Sequence, residues 1–161
     1  MLGFGEPRAV PQPPRAVKGE IAILYGGWSL QALRGSPIGQ KLMHQQEWYD
    51  RYPWSSEELP AGVYHLRIPV PESNRKTASE QEQILLEGEL MAPVILVASA
   101  LLAHRLQTGE DLLKTEYTCC RERVLFVRRV AVLWTGGQLY VNSCRIEDRR
   151  RALWASSVRT A

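Results

Sequence analysis

The most apolar part of the chain is residues 93–107, PVILVASALLAHRLQ. Apolar residues occupy nearly every position as far as Ala103, so a helix formed here has no polar side to turn toward water and must lie inside the protein. The whole apolar stretch, Leu90 to Ala103, is fourteen residues long and is interrupted by Pro93 and Ser99. A membrane span needs about twenty apolar residues. The stretch therefore predicts a buried core helix.

The preceding segment has its own helix signal. Residues 77–80, Thr-Ala-Ser-Glu, fit a capping box, in which the Glu80 carboxylate reaches back to the first amide. Apolar residues follow at helical spacing as far as Ile95. Pro93 removes one helical hydrogen bond, so we expect a kink or break near Met91–Pro93. Residues 78–107 are predicted to form a central apolar helix pair ending at Gly109, either as one kinked helix or as two.

The rest of the chain is rich in strand patterns. The hairpin signal is clearest at residues 135–138, where Gly136-Gly137 separates two runs of residues that favour strands. Strands are predicted at 20–25, 63–68, 117–120, 124–127, 130–134 and 139–143, and shorter helices at 29–34, 37–49 and 148–156. The predicted fold class is α+β, with the helix pair packed on a mainly antiparallel sheet from the C-terminal half.

Length, composition and cysteine content indicate the general class of protein. A chain of 161 residues with 45% hydrophobic and 23% charged residues is typical of one globular domain. We assign that domain to 19–161 and expect the proline-rich residues 1–18 to be a flexible tail. Residues 1–15 lack the apolar run of a signal peptide. The three cysteines form no CxxC motif and are odd in number. We therefore expect reduced thiols, no metal, no cofactor, and a soluble cytoplasmic domain with no membrane association.

Charge is distributed unevenly along the chain. Residues 1–120 carry a net charge of −3 and residues 121–161 carry +6. Arginines interleaved with aromatic residues on a sheet can bind single-stranded nucleic acid through phosphate contacts and base stacking. The candidate nucleic-acid-binding residues are Arg128, Arg129, Arg149, Arg150 and Arg151. The alternative, which we favour, is that these arginines pair with the excess acidic residues of the first 120.

A second candidate site precedes the capped helix. A helix N-terminus presents free N–H groups that can hold a phosphate or carboxylate. The candidate anion-binding residues are Asn74, Arg75, Lys76, Thr77 and Ser79, which would suit a small enzyme or a binder of anionic ligands. The alternative is an ordinary capped helix on a polar loop, since the nearby Glu80 and Glu82 oppose an anion.

Four aromatic residues, Trp48, Tyr49, Tyr52 and Trp54, crowd into seven positions. Exposed, they would form a protein interface; we favour the alternative, that they pack a helix end onto the core. No nucleotide-binding glycine motif, zinc-ligand spacing or serine-hydrolase motif occurs, so the catalytic residues are unknown. The preferred function is therefore a non-enzymatic interaction domain with a protein partner, and the oligomeric state is left open.

Overall fold

The computed structural model describes residues 8–10 and 19–159. Within them, nine strands form two sheets, and four α-helices accompany them. The helices are α1 (Leu30–Gly35), α2 (Pro37–Leu42), α3 (Ala78–Gln83) and α4 (Val94–Thr108), with a 3-10 turn at Pro53–Ser55. The strands are β1 (Arg8–Val10), β2 (Glu20–Tyr25), β3 (Gly62–Arg67), β4 (Glu89–Met91), β5 (Tyr117–Val124), β6 (Arg128–Thr135), β7 (Gln138–Arg145), β8 (Leu153–Ala155) and β9 (Ser157–Arg159). The flexible tail predicted at 1–18 lies, apart from the backbone of β1, outside the described residues.

The predicted α+β class is confirmed. The first sheet has the order β1-β2-β3-β9-β4 and is antiparallel throughout. The second has the order β7-β6-β5-β8 and is antiparallel except for the parallel pair β5–β8. The second sheet comes from the C-terminal half, as expected. The first combines strands that lie far apart along the chain, and such pairing is not visible in local sequence patterns.

Helix α4 forms the centre of the core. All ten residues Val94–Ala103 are buried, and the helix contacts β2 and β3 of the first sheet as well as β5 and β6 of the second. Gly109 ends it in the left-handed conformation, and its N–H donates to the Arg105 carbonyl at 2.8 Å. The predicted core helix and its end are therefore confirmed. In the part of the chain that the structure describes, no helix is long and apolar enough to cross a membrane.

The predicted helix pair is divided by a strand. The Thr77 capping box forms, but α3 ends at Gln83 and residues 89–91 form β4 instead of a second half of the helix. The Glu89 carboxylate accepts the Leu86 N–H at 2.8 Å and so closes a turn after α3. Pairing of β4 with β9 then outweighs the helical spacing of the apolar residues, since tertiary contacts override local propensity.

Two further helix predictions need correction. The helix predicted over 37–49 ends at Leu42, because Met43 becomes extended and the His44 N–H donates to the Leu139 carbonyl of β7 at 2.9 Å. The helix predicted over 148–156 is wrong. Residues 153–155 pair with β5 as the parallel strand β8, and residues 157–159 enter the first sheet. In each case the segment bonds to a distant strand.

The C-terminal hairpin forms where the glycine pair predicted it. β6 and β7 pair from Arg128↔Arg145 to Thr135↔Gln138, and Gly136 and Gly137 have φ values of 58° and 78°. Positive φ at both central positions is what a two-residue hairpin turn requires. The hairpin is longer than predicted, and its open end, at Arg128 and Arg145, adjoins the turn between β5 and β6.

Candidate interaction surface at the β5–β6 turn

The turn between β5 and β6 consists of three apolar residues, which we call the apolar tip. Leu125, Phe126 and Val127 are 67%, 94% and 59% exposed. Leu125 has φ of 57°, a left-handed conformation that costs a residue with a branched side chain about 1 kcal/mol. Gly, Asn or Asp would relieve this strain and suit water better. Neither core packing nor backbone geometry therefore explains the apolar tip.

Three arginines surround the apolar tip and form the arginine rim: Arg123, Arg128 and Arg145. Arg128 lies directly opposite Arg145 on β7 and donates from Nε and Nη2 to the Ser143 hydroxyl and carbonyl, both at 2.8 Å. Arg123 and Arg145 are exposed, and neither forms an ion pair with a carboxylate of the described residues. The tip is thus an apolar projection from a positively charged surface.

A shallow cavity adjoins the tip. It has a volume of about 330 Å³ and is lined by Val127, Arg128, Arg145, Ile146 and Glu147. Backbone bonding shapes its wall, because the Ile146 N–H donates to the Val127 carbonyl at 3.0 Å. One residue of the apolar tip, Val127, and two of the arginine rim, Arg128 and Arg145, therefore border the same shallow cavity.

No local sequence pattern predicts this tip. Val-Leu-Phe-Val at 124–127 matches strand propensity and predicts a strand separate from the one predicted at 117–120. The structure instead continues β5 to Val124 and turns at 125–127. The length of the strand-like run is the one feature of the sequence that indicates a turn here. A strand-like run over 117–134 exceeds the usual three to ten residues of a strand and must turn somewhere within it.

The edge of the neighbouring strand β7 is closed to further strand pairing over much of its length. Its carbonyls at Leu139, Val141 and Ser143 accept hydrogen bonds from the His44 N–H, the Trp48 indole and the Arg128 guanidinium at 2.9, 3.2 and 2.8 Å. Such coverage prevents another chain from adding a strand.

The five candidate nucleic-acid-binding arginines have different surroundings. Arg129 is buried and pairs with Glu82, while Arg149 pairs with Glu80 at 2.8 Å and Arg150 with Asp148 at 2.7 Å. Arg128 belongs to the arginine rim, and Arg151 is exposed. Pairing of the C-terminal arginines with acidic residues of the first 120, which the sequence favoured, is thus found at Glu80 and Glu82.

The candidate anion-binding residues lie at the start of α3. Glu80 accepts the Thr77 N–H at 2.7 Å, and this bond, followed by those to the Thr77 hydroxyl and Arg149, lowers the pKa of Glu80. Asn74 donates to the Arg151 carbonyl at 3.2 Å, and the Arg75 N–H donates to the Arg150 carbonyl at 3.3 Å. Lys76 is half-buried and Ser79 is exposed. A carboxylate of the chain itself occupies the helix start, and anion binding there stays a prediction.

The aromatic cluster packs as the sequence favoured. Tyr49 is fully buried, and Trp48, Tyr52 and Trp54 are partly buried against the main core. The Tyr52 and Trp54 rings stack with their centroids 5.6 Å apart. The cluster therefore closes one end of the core.

The three thiols are free and buried. Cys119 and Cys120 point to opposite faces of β5, as alternation predicts, and Cys120 belongs to the main core. Cys119 lies in a smaller second core with Cys144, and their sulfur atoms are 3.4 Å apart. Burial raises the pKa of Cys120 well above its usual value. Within residues 8–10 and 19–159, no group of three His, Cys, Asp or Glu side chains is arranged to hold a metal ion.

The first sheet also carries an ion network that no local sequence pattern predicts. Glu20 accepts from Arg159 at 2.7 Å and lies 3.3 Å from His65, on the sheet face opposite the core. The hydrogen bond from Arg159 is the main cause of a lowered pKa for Glu20. Arg67 and Glu89 form a second, buried pair. Because the carboxylates already pair with arginines of the chain itself, we interpret the network as structural. Glu20 and Arg159 are 139 residues apart, so no local pattern joins them.

One buried carboxylate caps the central helix. Glu122 accepts the Val94 N–H at the start of α4 at 2.8 Å, where Pro93 supplies no side-chain cap. Burial raises the pKa of Glu122 to about 6 from a usual value of 4.5. The folded protein therefore holds a proton on this residue at pH values where the unfolded chain has released it.

This raised pKa predicts a pH dependence of stability. As pH rises from 4.5 to about 6, the free energy of unfolding should fall, by up to about 2 kcal/mol, because the folded state binds the proton more tightly. Glu122→Gln should remove this slope, and Glu47→Gln, at an exposed carboxylate, should keep it. Urea unfolding of both variants and the wild type across this pH range measures the effect. A wild-type slope in Glu122→Gln would contradict the assignment.

Comparison with models of protein families, with curated proteins and with solved structures finds no significant match to this chain. Function is therefore inferred from the chemistry of the chain's own surface. The apolar tip with its arginine rim is the feature of that surface that internal packing explains least.

Proposed function

We propose that the chain is a non-enzymatic interaction domain that binds a protein partner through the apolar tip. The observation that carries this proposal is the exposure of three consecutive apolar side chains, Leu125, Phe126 and Val127, at a strained turn. Exposed apolar surface of this kind marks interaction sites when no internal packing accounts for it.

The energetics of a protein interface fit the tip. Phe126 is 94% exposed, so nearly its whole side chain is available to fill a pocket on a partner. A buried aromatic anchor of this type typically contributes about 2–4 kcal/mol to binding. The arginine rim then supplies charged contacts around the anchor, which favour an acidic partner surface and accelerate association.

The distribution of the other arginines favours a protein over nucleic acid. Arg129, Arg149 and Arg150 already pair with carboxylates. Of the four arginines in 121–151 without a carboxylate partner among the described residues, Arg123, Arg128, Arg145 and Arg151, the first three form the arginine rim. Nucleic-acid binding requires several phosphate contacts in a row. A compact apolar anchor with a basic rim matches a pocket on a protein better than a polyanion.

Photo-crosslinking tests the proposal. The photoreactive residue p-benzoylphenylalanine in place of Phe126 should give a defined adduct in an extract of the cells that produce the protein. Unlabelled wild-type protein should compete for that adduct, and Phe126→Ser protein should not. The matched control places the same group at Thr135, an exposed residue at the far end of β6. Equal adducts at both positions, or none at Phe126, would contradict the proposed function.

A further inference from the structure

We propose that Cys119 and Cys144 form an oxidation site, at which hydrogen peroxide converts the two thiols into a reversible disulfide. Three observations support this inference: the contact between the two sulfur atoms, the buried guanidinium of Arg129 on the same sheet face, and the position of Cys144 close to the surface. The site is separate from the apolar tip, so the inference goes beyond the proposed function and does not depend on it.

The two thiols meet on one face of the second sheet. Cys119 on β5 lies opposite Ala131, and Cys144 on β7 lies opposite Arg129, so alternation places all four side chains on that face. The methyl side chain of Ala131 leaves room above β6 for the sulfur atoms to approach each other. They are 3.4 Å apart and must move closer by about 1.4 Å to reach the length of a disulfide bond.

Arg129 gives this sheet face a buried positive charge. Its side chain is only 2% exposed, and its Nη2 donates to Glu82. Its Nε and Nη1 have no hydrogen-bond partner among the described residues. A buried cation with unpaired N–H groups is costly, and a negative charge nearby offsets that cost. Arg129 therefore favours a thiolate on this face, and the thiolate is the form of cysteine that reacts with oxidants.

The contact between the thiols makes the two cysteines unequal. A hydrogen bond from the Cys119 thiol lowers the pKa of Cys144, although burial opposes this effect. The same bond, followed by burial, raises the pKa of Cys119 well above its usual value. The charges of Arg150 and Arg129 also lower the pKa of Cys144. Cys144 is therefore the sulfur that attacks the oxidant, and Cys119 is the one that completes the disulfide.

The reaction is balanced with hydrogen peroxide as the oxidant. The Cys144 thiolate attacks one peroxide oxygen, the O–O bond breaks, and hydroxide leaves as Cys144 becomes a sulfenic acid. The Cys119 sulfur then attacks the Cys144 sulfur, the S–O bond breaks, and the departing oxygen takes the Cys119 proton and leaves as water. Overall, two thiols and one peroxide give one disulfide and two water molecules, with sulfur oxidised and oxygen reduced.

Cys144 lies close to the surface, although its own side chain is buried. It belongs to an outer strand of the second sheet, and Asn142, two residues earlier on the same face, is exposed. A local opening of β7 therefore exposes the sulfur to a molecule as small as hydrogen peroxide. Cys120 lies on the opposite face of β5, within the main core, and should stay reduced.

The disulfide should be easily reduced. It joins β5 to β7 although β6 lies between them, so its formation strains the sheet. Strained disulfides have higher reduction potentials than structural ones and are reopened by thiols such as glutathione. The site is therefore suited to reversible oxidation.

Mass spectrometry of the folded protein treated with hydrogen peroxide tests the inference. The protein should lose the mass of two hydrogen atoms, and tryptic digestion without reduction should link residues 115–121 to residues 130–145. Because Cys119 and Cys120 share the first of these peptides, Cys120→Ala is the matched control and should form the same link. Reduced glutathione should restore the original mass of the folded protein.

Single variants that melt like the wild type separate the roles of the two cysteines. Cys119→Ala lacks the second thiol, so Cys144 should accumulate as a sulfenic acid that dimedone labels. In Cys144→Ala the label at Cys119 should be at least about tenfold weaker, because Cys119 holds its proton more tightly.

Four outcomes would overturn the inference: three free thiols after peroxide treatment of the folded protein, a disulfide that contains Cys120, equal dimedone labelling of the two variants, or a disulfide that glutathione leaves intact. None of them bears on the proposed function, which the photo-crosslinking at Phe126 tests separately.

Discussion

Replacing Leu101 by Asp is expected to leave the chain unfolded. Leu101 is 1% exposed in α4, the helix that contacts both sheets. The substitution removes a packed side chain, at a cost of about 2–5 kcal/mol, and places an unpaired carboxylate in the core, which costs several kcal/mol more. A domain of this kind has about 5–15 kcal/mol of total stability.

Circular dichroism and thermal melting measure this effect. Leu106→Asp is the matched control, because Leu106 lies on the same helix and is 44% exposed. It should cost about 1 kcal/mol or less, part of it from a negative charge near a helix C-terminus. If Leu101→Asp protein melts cooperatively at the wild-type temperature, α4 does not lie in the core.

Breaking the buried pair of Arg67 and Glu89 should cause the second largest loss. Arg67 donates to the two Glu89 carboxylate oxygens at 2.6 and 2.5 Å, and both side chains are buried. Arg67→Leu leaves Glu89 buried without its cation, which typically costs about 3–5 kcal/mol. The double variant Arg67→Leu/Glu89→Leu should recover most of the loss, since no buried charge then remains unpaired.

Urea unfolding of the two single variants and the double variant gives the coupling energy of the pair. Arg149→Leu is the control, because both side chains of its ion pair with Glu80 are exposed, and solvent screening leaves such a pair little effect on stability. An Arg67→Leu variant as stable as Arg149→Leu would show that the pair does not stabilise the first sheet.

The correctly predicted elements are those whose conformation or burial depends on residues close together in sequence. The apolar composition of 93–107 requires burial, and α4 lies within one residue of that range. Residues 20–25 form β2 with the predicted bounds, and the glycine pair at 136–137 forms the hairpin turn. In these cases the residues themselves impose the backbone conformation or its burial.

The wrong predictions of helices concern segments that bond to distant strands. Residues 84–91, 43–49 and 148–156 have helical patterns or propensities, yet parts of them bond to strands far away in sequence. The apolar tip was missed for a related reason. Val-Leu-Phe-Val has the composition of a strand, and only its place between two paired strands makes it a turn. Departures from ordinary turn chemistry are expected where function sets the residues.

Fluorine NMR of the protein labelled with 4-fluorophenylalanine tests the central claim most directly, because the chain contains only two phenylalanines, Phe4 and Phe126. Phe126→Leu identifies the signal of the tip. In the dilute protein that signal should shift between H₂O and D₂O, as expected for a side chain that is 94% exposed. Once the partner is bound, the solvent shift should disappear. A Phe126 signal that keeps its full solvent shift in the complex would contradict binding through the apolar tip.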